Sequence, residues 1–257
     1  MSTPLRAIIV CVDYSDLLNV TLDYNRHHFK EILIVTNMRD RATKYIADKY
    51  DVPMFRTDVF TANGAKFNKW AALELGLDYF GRHGWLCLMD ADVLWPKQID
   101  WEFLVPEGFV PQNNKFKMVP GCLYTPKRRM CINIPDRVPH EPYWKTFPLH
   151  PQQQEFAGYT QIFHGTDRHL PEPPWHEVNW RHAGGADSFF QQNWSEANKI
   201  RPPFEVLHLG PAGVNWCGRS TRLLSGEKPE ESVERLETLR QMLTARRINK
   251  NYDAEKF

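Results

Sequence analysis

The rhythm of apolar and polar positions changes repeatedly over the first hundred residues. "RAIIVCVDY" (6–14) and "EILIVTN" (31–37) are continuous apolar runs that close on polar residues, as buried strands do. Between them, "DLLNVTLDYNRHHF" (16–29) repeats its apolar residues at mostly helical spacing. "DRATKYIADKY" (40–50) predicts a second helix and "VPMFRTD" (52–58) a short strand. "AKFNKWAALELGLDYF" (65–80) is the clearest helix, with Phe67, Trp70, Ala71, Leu73 and Leu77 broadly on one side. A further strand is expected at "WLCLM" (85–89). Apolar strands alternating with helices predict a mixed, mainly parallel α/β sheet sandwiched by helices. Ligands of such sheets bind beyond the carboxyl ends of the strands. Asp13, Thr36–Asn37 and Asp90–Asp92 all fall there.

Beyond residue 100 the pattern becomes irregular. Proline is dense from 106 to 174. One hairpin is expected from "KFKMVPGCLYTP" (115–126) and "RRMCINIP" (128–135), and a strand in "EFAGYTQIFH" (155–164). "LPEPPWHEVNW" (170–180) reads as an ordered loop over a site, because its aromatics would not stay solvated. "HAGGADSFFQQNW" (182–194) starts a helix after two glycines, "FEVLHLGP" (204–211) is a last strand, and 228–250 is an amphipathic, charge-laced helix. No repeat or low-complexity linker divides the chain. The expectation is one domain over 1–257, with a nucleotide-binding half (about 1–100), an acceptor and metal half (about 101–220) and a helical tail (about 221–257).

Composition narrows this picture only a little. The 257 residues are 42% apolar and 25% charged with a net charge of +1, so no global pull towards nucleic acid or acidic membrane is expected. No apolar run is long enough to span a bilayer, and no charged-then-apolar leader is seen. Five scattered cysteines without a CxxC pair suggest a reducing, cytoplasmic setting, in the host if the chain is viral. Zinc through Cys122, Cys131 and His140 is disfavoured by the irregular spacing.

The chemistry starts at "WLCLMDADVLWP" (85–96), where Asp90 and Asp92 interrupt an apolar run. Two carboxylates flanked by hydrophobes are costly to bury without a cation or partner. A divalent metal would compensate them; capping of the next turn is the alternative.

Taken in order, these segments resemble the GT-A glycosyltransferases of the family-2 type, which move a sugar from a nucleotide diphosphate sugar. The resemblance covers residues 5–220 and rests on Asp13–Tyr14 after the first strand, "FNKWAALELGL", "CLMDADV" as the DxD motif, "GGADSFF" and "HLGPAGVNW". It implies a Rossmann-like GT-A fold with an irregular acceptor-side region. It also implies a metal-dependent, inverting transfer from a donor, UDP-sugar favoured, to an acceptor hydroxyl. Mn²⁺ or Mg²⁺ would be held directly by Asp92 and His208, with Asp90 on the metal or the ribose, and imidazole ligation favours manganese. A strand-end histidine is the alternative for His208. The family's usual lysine is replaced by Val214, which leaves Arg219 for the phosphate-facing charge. Val12, Asp13, Tyr14 and Thr36 match positions that hold the nucleobase and ribose, although an aspartate often stands where Thr36 does. Ala91 joins the donor site, and Asn68 and Lys69 fall near it or on an ordinary helix surface. Asp187 would be the general base, or else a helix-start charge. Gln161, His164 and Trp180 are acceptor candidates, and Trp175 and Trp180 either stack on a ring or pack a loop. Lys127, Arg128 and Arg129 face phosphates or solvent.

Two further readings stand beside this one: a nucleotidyltransferase on the same rim, and a non-catalytic nucleotide-sugar-binding module. The acceptor is undefined; hydroxymethylated pyrimidines of phage DNA are one candidate, suited by a basic turn and several tryptophans.

Overall fold

Burial on both faces explains why "RAIIV" is a continuous apolar run. In the computed structural model, which describes residues 4–103, 116–134, 138–151, 156–211, 214–221 and 224, it forms β1 (Arg6–Val10) at the centre of a sheet. Chain order continues with α1 (Ser15–Asn25), β2 (Glu31–Thr36), α2 (Arg41–Tyr50), β3 (Met54–Arg56), α3 (Lys69–Phe80) and β4 (Trp85–Asp90). β1 pairs in parallel with β2 on one side and β4 on the other, and β3 extends β2 in parallel. Alternate residues of β1 therefore serve two cores. Ala7 and Ile9, with Cys11 just beyond the strand, pack with Leu18, Leu22 and Ile46 of α1 and α2, while Ile8 and Val10 pack with Leu73 and Leu77 of α3. Gly76 lets α3 lie close on the sheet, since a Cβ there would sit 2.6 Å from Cγ2 of Val35.

The helix starts follow side-chain chemistry. Asp40 caps α2 by accepting from the Thr43 N–H, and Asn68 caps α3 by accepting from the Ala71 N–H. α3 thus begins later than the apolar periodicity predicts, because Asn63 and Gly64 take left-handed conformations just upstream.

The second half supplies β5 (Val93–Leu94), β6 (Trp101–Phe103), β7 (Phe116–Met118), β8 (Leu123–Tyr124), β9 (Lys127–Cys131), α4 (Glu141–Trp144), β10 (Thr160–His164), α5 (Ala186–Phe190), β11 (Lys199–Ile200) and β12 (Glu205–Leu209). The main sheet has seven strands in the order β11-β8-β10-β4-β1-β2-β3, with β10 antiparallel to β4. A small sheet, β5-β12-β9, stands beside it. This is a mixed, mainly parallel α/β architecture with helices on both faces. The expected hairpin does not form. β7 pairs with β6, β8 joins the main sheet, and β9 pairs with β12. Pro120 and Pro126 lack the N–H groups a hairpin ladder needs and cut the segment into separate strands. The expected helix at 228–250 lies outside the described residues. Among the described residues, no helix is long and apolar enough to cross a membrane.

Candidate active site

The chain reverses its lateral direction at β1, with β2 to one side and β4 to the other, and a crevice opens where the carboxyl ends of β1 and β4 meet. Val10 is in register with Asp90, so the residues that follow each strand share one rim. A cavity of about 510 Å³ lies there, lined by Val12, Tyr14, Lys69, Asp90, Ala91, Asp92, Asp187 and His208, among others.

Each of the acidic groups is placed by a different element. Asp90 ends β4, and its carboxylate pairs with the ammonium of Lys69 from the first turn of α3. Asp92 follows in the turn to β5, where its carbonyl accepts from the Leu209 N–H of β12 at 2.8 Å. That turn is tied to the small sheet because β12 pairs antiparallel with β5, setting His208 opposite Val93. His208 Nε2 then stands 3.7 Å from Asp92 Oδ1, an oxygen that is buried and accepts no hydrogen bond. Burial pushes the Asp92 carboxyl above its ordinary range, and the neighbouring His208 only partly opposes this. Tyr14 is driven upward by its own burial and then by the Asp92 charge, which puts its phenol in the same electrostatic environment.

Asp187 enters from the first turn of α5. Its Oδ2 accepts from the Gly158 N–H at 2.7 Å and its Oδ1 from the Ser188 N–H at 3.0 Å. Gly158 has to be a glycine here: a Cβ would lie 2.8 Å from the Trp70 ring and 3.0 Å from Asp187 Cβ. The Trp70 indole is itself anchored, donating to the Ala183 carbonyl at 2.8 Å. Next to Gly158, the Tyr159 carbonyl accepts from the Asp90 N–H at 3.0 Å. One short strip of backbone therefore holds Asp90 and Asp187 in fixed relation.

Several residues singled out in the sequence take other posts. Thr36 is buried and donates to Asp40 Oδ2, which also receives the Asp13 N–H and the Thr43 hydroxyl. Asp13 is exposed, in a left-handed conformation, and does not line the cavity. Arg219 turns to Asp16 and to the Asp13 carbonyl and lies over the Tyr14 ring, clamping its own segment (214–221) to α1. Val214 is 47% exposed. Asn68 is occupied as a cap and donates to the Val178 carbonyl. Gln161 is buried and donates to the Phe156 carbonyl. His164 pairs in register with Trp85, which puts it at the opposite end of β4 from the cavity. Trp175 packs in the core, and Trp180 lies on Gly185 outside the cavity lining. Of the basic turn, Arg128 lines the cavity, Arg129 pairs with Glu205 and Lys127 is exposed. Cys122 and Cys131 are buried, and no group of three His, Cys, Asp or Glu residues gathers for a metal among the described residues.

The cavity also holds a residue with no clear mark in the sequence. His150 bonds Arg128 through Nε2 at 3.1 Å, and burial, then Arg128 and His208, hold its pKa low. Ser188, Asn215 and Trp216 complete the mouth.

Neither a protein-family model nor a curated protein sequence matches this chain. Among solved structures it is similar to mannosyl-3-phosphoglycerate synthase from Rubrobacter xylanophilus, at 14% identity and a TM-score of 0.37 over 63% of this chain and 53% of that one. It is also similar to CTP:phosphocholine cytidylyltransferase from Streptococcus pneumoniae, at 14% identity and a TM-score of 0.31 over 55% of this chain and 61% of that one. The chain thus spans about half of the first and three fifths of the second, and neither likeness bears on its activity.

Proposed function

We propose that the chain is a glycosyltransferase that takes a sugar from a nucleotide diphosphate sugar and places it on an acceptor hydroxyl with inversion. The observation that carries this reading is convergence. Asp90 at the end of β4, Asp92 just behind it, His208 from β12 and Asp187 from α5 reach one cavity at the carboxyl ends of β1 and β4.

The residues present fit a divalent ion. Asp92 offers a buried oxygen without a hydrogen-bond donor, and an imidazole nitrogen faces it. Two protein ligands suffice where substrate phosphates and water complete the shell, as is usual for magnesium-type sites. When bound by Asp92 and His208, Mn²⁺ or Mg²⁺ supplies positive charge to the diphosphate that leaves. Lys69 fixes Asp90 beside this pair.

Asp187 acts on the acceptor. Two backbone amides hold its carboxylate at a fixed angle at the cavity wall, which leaves its remaining lone pairs for a hydroxyl proton. The acceptor oxygen bonds to the anomeric carbon as the carbon–phosphate-oxygen bond breaks. The electron pair of that bond leaves with the diphosphate, and the acceptor's proton passes to Asp187. A hydrolysis screen across nucleotide sugars tests the reading. Slow release of nucleoside diphosphate from one of them supports it. Pyrophosphate release from nucleoside triphosphates, with no sugar released, replaces it with nucleotidyl transfer.

A further inference from the structure

From Trp216 at the cavity mouth extends a rim of aromatic rings that sugar transfer does not itself require. Phe189 meets Trp180 at 5.7 Å between ring centres, Trp180 meets His182 at 5.9 Å, and His182 meets Trp216 at 6.4 Å with their planes 16° apart. The two ends of the run are strongly exposed, Phe189 at 58% and Trp216 at 54%. Scattered exposed hydrophobes are ordinary; a connected run beside a reactive carboxylate is not. Two glycines seat the indoles. A Cβ on Gly184 would lie 2.8 Å from the Trp216 ring and one on Gly185 2.9 Å from the Trp180 ring, so both indoles rest directly on backbone.

Two cations lie next to these rings along the backbone. Arg181 stands between Trp180 and His182, and its carbonyl accepts from the Lys66 N–H at 2.9 Å. Both side chains are exposed, and neither makes an ion pair with a described residue. Flat ring faces bordered by exposed cations are the pattern that binds unpaired nucleotides, bases stacking while phosphates meet the charges. A neutral saccharide would use the rings and leave Lys66 and Arg181 without counter-charge.

We infer that this rim is a subsite for a nucleic-acid strand, whose unstacked bases lie on Trp216 and Phe189 so that an acceptor hydroxyl on one base reaches Asp187. The last clause rests on the transferase reading; the binding itself does not. The probe is a fluorescein-labelled twelve-residue oligothymidylate, followed by anisotropy without donor or metal. W216A and F189A should each weaken binding by about 5- to 150-fold, the loss of one stacked base. K66A/R181A should weaken binding at low salt and flatten the logarithmic salt slope by about 1.4, the value for two phosphate contacts on a single strand. K44A, on the far helix α2, should change nothing.

Absence of oligonucleotide binding overturns the subsite, as does binding that W216A and K66A/R181A leave intact. Binding of maltohexaose that W216A abolishes, with none of the oligonucleotide, reassigns the rim to neutral glycans. Oligonucleotide binding without hydrolysis of any nucleotide sugar leaves the subsite standing and removes the transferase. Donor hydrolysis without oligonucleotide binding does the reverse.

Discussion

Asp92 Oδ1 faces His208 Nε2 across 3.7 Å, too far for a hydrogen bond, and accepts no bond from any other donor. Burial raises the Asp92 pKa despite the imidazole, so the carboxylate is held in place at a cost to the fold. In the proposed reading this arrangement serves a ligand rather than stability. Asp92→Asn should therefore leave the ligand-free protein as stable as the parent, within about 1 kcal/mol, or more stable. Urea unfolding of both proteins checks this. A loss of several kcal/mol would make Asp92 a structural group.

Asp187 is oriented by the Gly158 and Ser188 amides. Asp187→Asn can keep an acceptor oxygen towards one amide but cannot take a proton. Turnover should fall by about 10²–10⁴-fold while donor affinity barely moves. The product should be inverted at the anomeric carbon, read by NMR; retention would exclude a single displacement.

The two glycines before α5 should respond differently to alanine. Gly185 has a φ of +102°, which strains any side chain, and its Cβ would meet Trp180. Gly184→Ala needs only Trp216 to give way, and that ring is 54% exposed and has room to swing. Gly185→Ala should cost about 1–3 kcal/mol in urea unfolding, and Gly184→Ala clearly less. Equal costs would show that Trp216 is fixed more firmly than its exposure implies.

His28 gives the fold an acid-sensitive point away from the cavity. It is packed against Trp95 and Trp101, and its Nε2–H donates to the Pro96 carbonyl at 2.7 Å. Burial, helped by His27 and opposed by Pro96, pushes its pKa down to about 4. The unfolded chain binds this proton near pH 6.5, so the contribution is whole above that pH and is lost as pH falls towards about 4. Its full size is about 3 kcal/mol. His28→Gln should flatten the fall in Tm between pH 7 and 4.5. An unchanged slope would place the acid sensitivity elsewhere, and the buried His176–Glu74 pair is then the next group to test.

The legible parts of this protein were those written locally in the chain. Continuous apolar runs fix the parallel strands because both sheet faces are covered, and two aspartates behind such a run mark the crevice. Side-chain partnerships between distant segments left no such trace. Thr36 and Arg219 matched donor positions by resemblance, yet Asp40 and Asp16, each close to a helix start, engage them. Asn68 stood at a helix start, where capping outcompetes ligand contact. His164 fell at the wrong end of its strand because β10 runs antiparallel to β4, a direction that apolar periodicity does not encode. The post of Gly158 became visible only once Trp70 and Asp187 were placed around it.

In the proposed reading Asp92 and His208 together hold an ion that binds the diphosphate of a nucleotide sugar. Calorimetric titration of UDP, GDP and ADP into the parent protein, with and without Mn²⁺, tests it most directly. One of the three should bind at least about tenfold tighter with Mn²⁺, a gain of about 1.4 kcal/mol. Asp92→Asn and His208→Ala should each abolish that gain while remaining folded. Affinities that Mn²⁺ leaves unchanged in the parent, or a gain that survives in Asp92→Asn, would contradict the account.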